Sequence, residues 1–349
     1  MSKTSQKHML KTQKPIHYYY LDILNIIAII AVIALHHNGG VHTYRNEASW
    51  YFNLIIECIF YFAVPVFLLI TGATLMKYRE RYNTKTFFKK RITKIIIPLI
   101  AWNIIYLLYS QKWPTSISDF ITSFLTNKYN SHFYFMYEIL GIYLTLPLLS
   151  RLARKEYHKT LWFTVGLYTF FNGLLPTILP LIKIPYIPSL SVRLCGYIIF
   201  VLLGYILSTE DLSKNQKRLI YLGAIIGVLF RFITTIVLSE QARVISKQTW
   251  GYTSWHSLLL ASAIFILIKD ICAKITFSEQ TKKMLSMISS CSFGIYLAHA
   301  LIMSLEKRIL GGAIPGYLWC TLFIPITYLF SLLIVLMIKK IPLLRKIVP

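Results

Sequence analysis

Several ionisable side chains stand inside long apolar runs that ought to exclude them. The run "LDILNIIAIIAVIALHH", Leu21 to His37, opens beside Asp22 and closes on His36 and His37. A charged side chain at mid-membrane costs about 2.5–3.5 kcal/mol on insertion scales, so such groups face protein or a water-filled cavity. An imidazole kept from bulk water is neutral, and a neutral imidazole can take the proton of a hydroxyl. His36 is therefore a usable general base. Asp22 cannot be its partner, because the intervening helix would hold the two about 21 Å apart at 1.5 Å per residue. Its place is the start of the helix, where a carboxylate favours the dipole. Adjacent helical side chains project about 100° apart, so only one of His36 and His37 can face an interior site. His37 and His42 read as interfacial residues.

Glu57, Glu138, Arg193, Arg231, His256 and His299 occupy other apolar runs. Their positions call for elements that bring them to a common depth. Of 349 residues, 56% are hydrophobic and 14% charged, more apolar than the roughly 45–50% of globular chains. Runs of about 20 apolar residues, enough to cross about 30 Å of hydrocarbon, recur along the chain. Spans are expected over 19–38, 51–76, 92–110, 131–150, 160–181, 189–208, 217–238, 253–273, 287–305 and 317–338. The fold class is all-α, a polytopic integral membrane protein of about ten helices. With the N-terminus inside, cytoplasmic segments carry about 26 of the 37 Lys and Arg residues and outer loops about 8. That asymmetry predicts cytoplasmic termini. It also accounts for the net charge of +24 without nucleic acid. The polar residues then fall in the outer halves of their spans. They form either a buried chamber open to the outside or scattered groups snorkelling to the interface.

At the third-span entry, "FFKKRITKIIIP", Arg91 and Lys94 share a helix face beginning at the cytoplasmic surface. Such a patch could hold phosphates, while positive-inside bias alone explains Lys89 and Lys90. The "HYYYLD" stretch, His17 to Asp22, has an H-x4-D spacing. Positions five apart share a helix face poorly, so it reads as chance. The five cysteines lack CxxC spacing, and no metal site is expected. "GAIIG", Gly223 to Gly227, reads as a helix-packing contact.

These segments bring the chain into register with a family. It resembles the membrane acyltransferase 3 family, which moves acyl groups, usually acetyl, onto extracytoplasmic glycans. The first run is similar to that family's opening pattern of Asp, Leu-Arg and an apolar stretch ending in the functional histidine, which falls on His36. "VPVFLLITGATL" resembles its Pro-x-Phe and Ser/Thr-Gly signature, and "FFKKRITKIIIP" its Arg-x-x-Arg-x-x-x-Pro segment on Arg91, Lys94 and Pro98. "HFYFMYEILGIYLTLP", His132 to Pro147, resembles its His-x-Trp-Phe-Leu and Gly-x-Tyr-Leu stretch, and "SFGIYLAH" its late Gly-Ile-Tyr-Leu-x-His ending on His299. Asn25 stands where the family has arginine, Lys94 replaces the second arginine and Tyr134 replaces tryptophan.

The resemblance implies an acyl-CoA-dependent O-acyltransferase, with acetyl-CoA as donor and no bound cofactor. Arg91 and Lys94, with Asn25, would hold the donor, and His36 would be the base, with Glu138 or Glu57 orienting its imidazole. A covalent acyl-histidine is equally compatible. Glu57, Arg193, Arg231 and His299 would line the chamber. The partners would be acyl-CoA, an extracytoplasmic glycan or glycolipid and the cell membrane. Residues 1–18 would be a basic cytoplasmic tail, 19–338 the transmembrane acyltransferase domain and 339–349 a basic cytoplasmic C-terminus. No extracytoplasmic SGNH-type domain is expected, so the acceptor must reach the membrane core itself. The alternative is a glycan or lipid transporter whose permeation path uses the same polar layer.

Overall fold

The computed structural model describes residues 17–186, 188, 191–193, 196–310 and 314–349. Among these, every regular element is helical, and nine helical segments are long and apolar enough to cross a membrane. The chain is a polytopic membrane protein. α1 (Tyr19–His37) runs from an Asp22 end to a His36 end of the bundle. The second segment is split into α2 (Ala48–Phe60) and α3 (Ala63–Leu75). The unbroken span expected over 51–76 fails at Pro65, which has no N–H for the Tyr61 carbonyl four residues earlier and whose ring crowds it. The break releases Tyr61 to face the bundle interior. α4 (Thr84–Ser110) begins well before the expected 92, because Asn83 caps it by accepting the Thr86 N–H at 2.9 Å.

The amphipathic α5 (Ile117–Leu125) lies outside the spans and leads to α6 (Tyr134–Leu149). α7 (His158–Tyr168) continues through a π-helical turn at Thr169–Leu174. The expected sixth span, 189–208, is instead the shorter α8 (Ile198–Thr209). Its twelve residues reach only about 18 Å, and nearly every one is buried. It therefore needs no lipid-facing band, because protein surrounds it. Arg193 lies exposed in the irregular segment before α8, outside any span. α9 (Lys214–Ala242), α10 (Trp255–Ala273), α11 (Glu279–Leu310) and α12 (Phe323–Lys340) complete the bundle.

α3 and α8 form the centre, and glycine sets their separation. A Cβ on Gly72 would stand 2.0 Å from the Val201 carbonyl oxygen, and one on Gly204 2.0 Å from that of Leu69. Only residues without side chains allow the two backbones to approach so closely. α1 packs between α3, α11 and α12, which makes it an interior helix rather than a peripheral anchor. Gly223 and Gly227 of α9 face Leu259 and His256 of α10, so the GxxxG pattern serves packing within the chain. At the Asp22 end the turn Leu344–Ile347 folds back onto the bundle. The Trp102 indole N–H donates to the Ile347 carbonyl at 2.9 Å, and Val348 is fully buried. These last residues thus pack against the bundle.

Candidate active site

The last turn of α1 sends its two histidines in different directions. His36 is exposed, but to an internal cavity of ≈ 270 Å³ rather than the outer surface. His37 is buried at 1% exposure against α12, so it is not an interfacial residue. Its Nε2 meets Thr327 Oγ1 at 2.8 Å, and that hydroxyl donates to Glu306 Oε2 at 2.6 Å. The Trp319 ring covers it at 4.4 Å between centroids.

His36 belongs to a cluster of three histidines drawn from three elements. Its ring centroid is 5.0 Å from that of His299 on α11 and 6.2 Å from that of His132, which immediately precedes α6. His132 and His299 are 5.6 Å apart. His299 Nδ1 lies 2.6 Å from the Tyr296 carbonyl, so Nδ1 carries the proton. Its Nε2 and that of His132 have no hydrogen-bond partner among the described residues. The Tyr296 hydroxyl donates to the His132 carbonyl and ties the two elements together. The Tyr106 hydroxyl donates to the Leu297 carbonyl at 3.1 Å and accepts from the Leu301 N–H at 3.0 Å. These are the groups a continuous α-helix pairs with each other, so the hydroxyl intervenes in α11 at the turn that carries His299.

Glu57 and Glu138 stand in different surroundings. Glu57 lines the His36 cavity, but its carboxylate is engaged by Asn38 Nδ2 at 3.2 Å and Arg231 Nη2 at 3.5 Å. The Arg231 guanidinium lies 3.3 Å from the centroid of Tyr61 and 5.0 Å from that of Trp250. Such stacking suits a weakly hydrated planar cation. His256 is buried at the α9–α10 contact and does not line the cavity. Glu138 opens onto a neighbouring cavity and does not contact the His36 cluster. Neither carboxylate is therefore placed as the orienter of His36. His42, in the loop after α1, also lines the His36 cavity, and its imidazole pKa lies below the ordinary value. Desolvation is the larger cause and the charge of Lys247 the smaller.

A second cavity, ≈ 370 Å³, opens at the Asp22 end. Asn25 and Lys94 both line it, while Arg91 does not. Asn25 Nδ2 donates to Ser289 Oγ at 3.4 Å. His17 and Asp22 also meet here, at 2.5 Å, and Ser286 Oγ lies within 3.2 Å of both. The five-residue spacing does not prevent this, because His17 precedes α1 and its backbone is free to fold back. Val32, Val64, Phe135 and Tyr296 line both cavities, so a single layer of side chains separates them.

Residues 18–338 match a family model described as an acyltransferase domain. The chain belongs to the acyltransferase 3 family. It is therefore a multi-pass membrane acyltransferase. Comparisons with curated proteins and with solved structures gave no match. Within this acyltransferase 3 chain, the structure brings His36 and Glu57 around one cavity and Asn25 with Lys94 around another, whereas His299 and Arg231, expected to line the chamber, are buried behind His36 and Glu57 and do not reach it. It leaves Arg91, Arg193 and Glu138 outside both. His132 was the residue that sequence reasoning missed, although it heads the His132–Pro147 motif and lies near the same membrane depth as His36. Among the described residues, no group of three or more His, Cys, Asp or Glu side chains is arranged to hold a metal ion.

Proposed function

We propose that this acyltransferase takes an acyl group, acetyl in the simplest case, from acyl-CoA at the Asp22 end. It delivers that group to a hydroxyl of an extracytoplasmic glycan or glycolipid at the His36 end. The observation that carries this reading is the pair of cavities meeting at one layer of side chains. Asn25 and His36 are eleven residues apart on α1, or about 16 Å, which is of the order of an extended phosphopantetheine arm. Lys94 and Asn25 would donate to the phosphates of the donor, and the thioester would pass Val32 and Tyr296 to reach His36.

In the transfer, the acceptor hydroxyl oxygen bonds to the thioester carbonyl carbon while its proton passes to the free ring nitrogen of His36. The tetrahedral intermediate then collapses, the carbon–sulfur bond breaks, and the CoA thiolate takes the proton from His36. His299 acts as positioning residue in this scheme. With its Nδ1–H held by the Tyr296 carbonyl, its unpaired Nε2 would be free to accept the N–H of His36 when the imidazole turns toward it, and so would select which nitrogen of His36 is basic.

Purified protein in lipid nanodiscs, given acetyl-CoA and de-O-acetylated surface polysaccharide, should release CoA thiol and acetylate the polysaccharide. His36→Ala should lower transfer by about 10²–10⁴-fold, the range for loss of a general base, with an unaltered size-exclusion profile. An active His36→Ala protein would move the chemistry to His299 or His132. Acetyl-CoA left intact by the unsubstituted protein would remove the acetyl-CoA reading and favour transport.

A further inference from the structure

Beside the His36 cavity lies a larger one, ≈ 530 Å³, between α6, the start of α8 and the loop before α10. Glu138 is the only charged residue among the described residues lining it. Its carboxylate is exposed to this space and has no ion-pair or hydrogen-bond partner among the described residues. Glu138 sits one turn inside α6, where a charge without partner is costly unless water or a ligand meets it. The remaining polar side chains of the lining are hydroxyl-bearing, from Tyr137, Thr145, Tyr197, Tyr252 and Thr253.

Gly141, one turn further along α6, is a second and independent sign. Glycine inside a helix is destabilising by about 0.5–1 kcal/mol relative to alanine, so a packing reason is usually found for it. Here there is none, since a Cβ at Gly141 would meet nothing within 4 Å. What a side chain there would occupy is the cavity itself. Gly72 and Gly204 are small because backbone presses on them, whereas Gly141 is small beside open space.

We propose that the Glu138–Gly141 cavity binds a sugar ring of the acceptor, one bearing no negative charge. This rests on the reading that an acceptor hydroxyl reaches His36. A carboxylate accepts paired hydroxyls through charge-assisted bonds, tyrosine faces suit the C–H face of a pyranose, and Gly141 leaves room for the ring. Tyr252 borders this cavity and that of His36, and stacks on Tyr61 at 4.2 Å and 11°. An acceptor seated against Glu138 thus has only one aromatic wall between it and the histidine cluster. A phosphate or uronic acid at this subsite would meet the Glu138 charge with no lining cation to offset it.

The test is equilibrium binding of fluorescently labelled, de-O-acetylated surface polysaccharide to the full chain in nanodiscs. Glu138→Gln and Gly141→Leu should each weaken binding by about tenfold or more, the scale of one lost charge-assisted hydrogen bond. Methyl glycosides of neutral sugars should compete, and glucuronate should not. Equal binding by both variants, no binding by the unsubstituted protein, or displacement by choline but not by methyl glycosides would each overturn the assignment. Acetyl-CoA consumption, assayed separately on the same preparation, tests the functional reading, so the two can fail independently.

Discussion

At the scale of single residues, His36 and His37 leave one helical turn for different surroundings, the first lining a cavity and the second packed against Thr327 of α12. His36 could be read because a histidine closing an apolar run is chemically conspicuous. The opposite facing of His37 depends on Thr327 and Trp319, which are nearly 300 positions away. His132 escaped because it precedes its helix, where no periodicity marks a face. His17 reads as chance only if helix geometry extends to it, and it does not, because His17 precedes α1 and meets Asp22 from outside the helix. Arg91 and Lys94 share a helix face, yet only Lys94 lines the cavity. Lys94→Ala should therefore weaken acetyl-CoA binding more than Arg91→Ala, by about 1.5–3 kcal/mol, as read by titration calorimetry on nanodisc protein. Equal losses would return Arg91 to the donor site. His37→Ala should mainly lower the melting temperature, because it leaves the buried Thr327–Glu306 pair without its third member, at a cost of about 1–3 kcal/mol.

At the scale of elements, the sequence specified the helices well and their interruptions poorly. Pro65 could have announced the break between α2 and α3, but proline is tolerated in membrane helices often enough that no break follows from its presence. The shortness of α8 was hidden because an apolar run reads alike whether lipid or protein surrounds it. Glycine contributes in opposite senses at two places. Gly204→Ala should destabilise the α3–α8 crossing by about 1–3 kcal/mol or more, since the added atom meets the Leu69 backbone. Gly141→Ala, in open space, should be neutral or raise stability by up to about 1 kcal/mol through helix propensity. Thermal unfolding in detergent, followed by circular dichroism, would compare them. Similar losses at both sites would contradict the packing described for Gly204 and Gly141.

At the scale of the whole molecule, the class of fold followed from composition, because membrane thickness permits few alternatives, whereas the count did not: nine long apolar segments stand among the described residues where ten were expected. Which helices lie inside did not follow, since interior and lipid-facing helices are equally apolar here. The distribution of basic residues calls for Arg45 outside and residue 340 inside, testable by cysteine labelling of intact cells at those two positions. Labelling of both from the same side would invert every assignment of donor and acceptor ends. The single layer formed by Val32, Val64, Phe135 and Tyr296 has an electrical consequence. Water filling the two cavities would carry the local potential inward, so that a voltage otherwise spread over about 30 Å of hydrocarbon would drop mainly across that layer. Each 100 mV is worth about 2.3 kcal/mol per elementary charge. The layer would then act as the molecule's insulator, and a thiolate formed next to it would be released within a concentrated field. Val64→Ser should make proteoliposomes measurably leaky to protons, as reported by an entrapped pH dye under an imposed potential, while the unsubstituted protein holds its gradient.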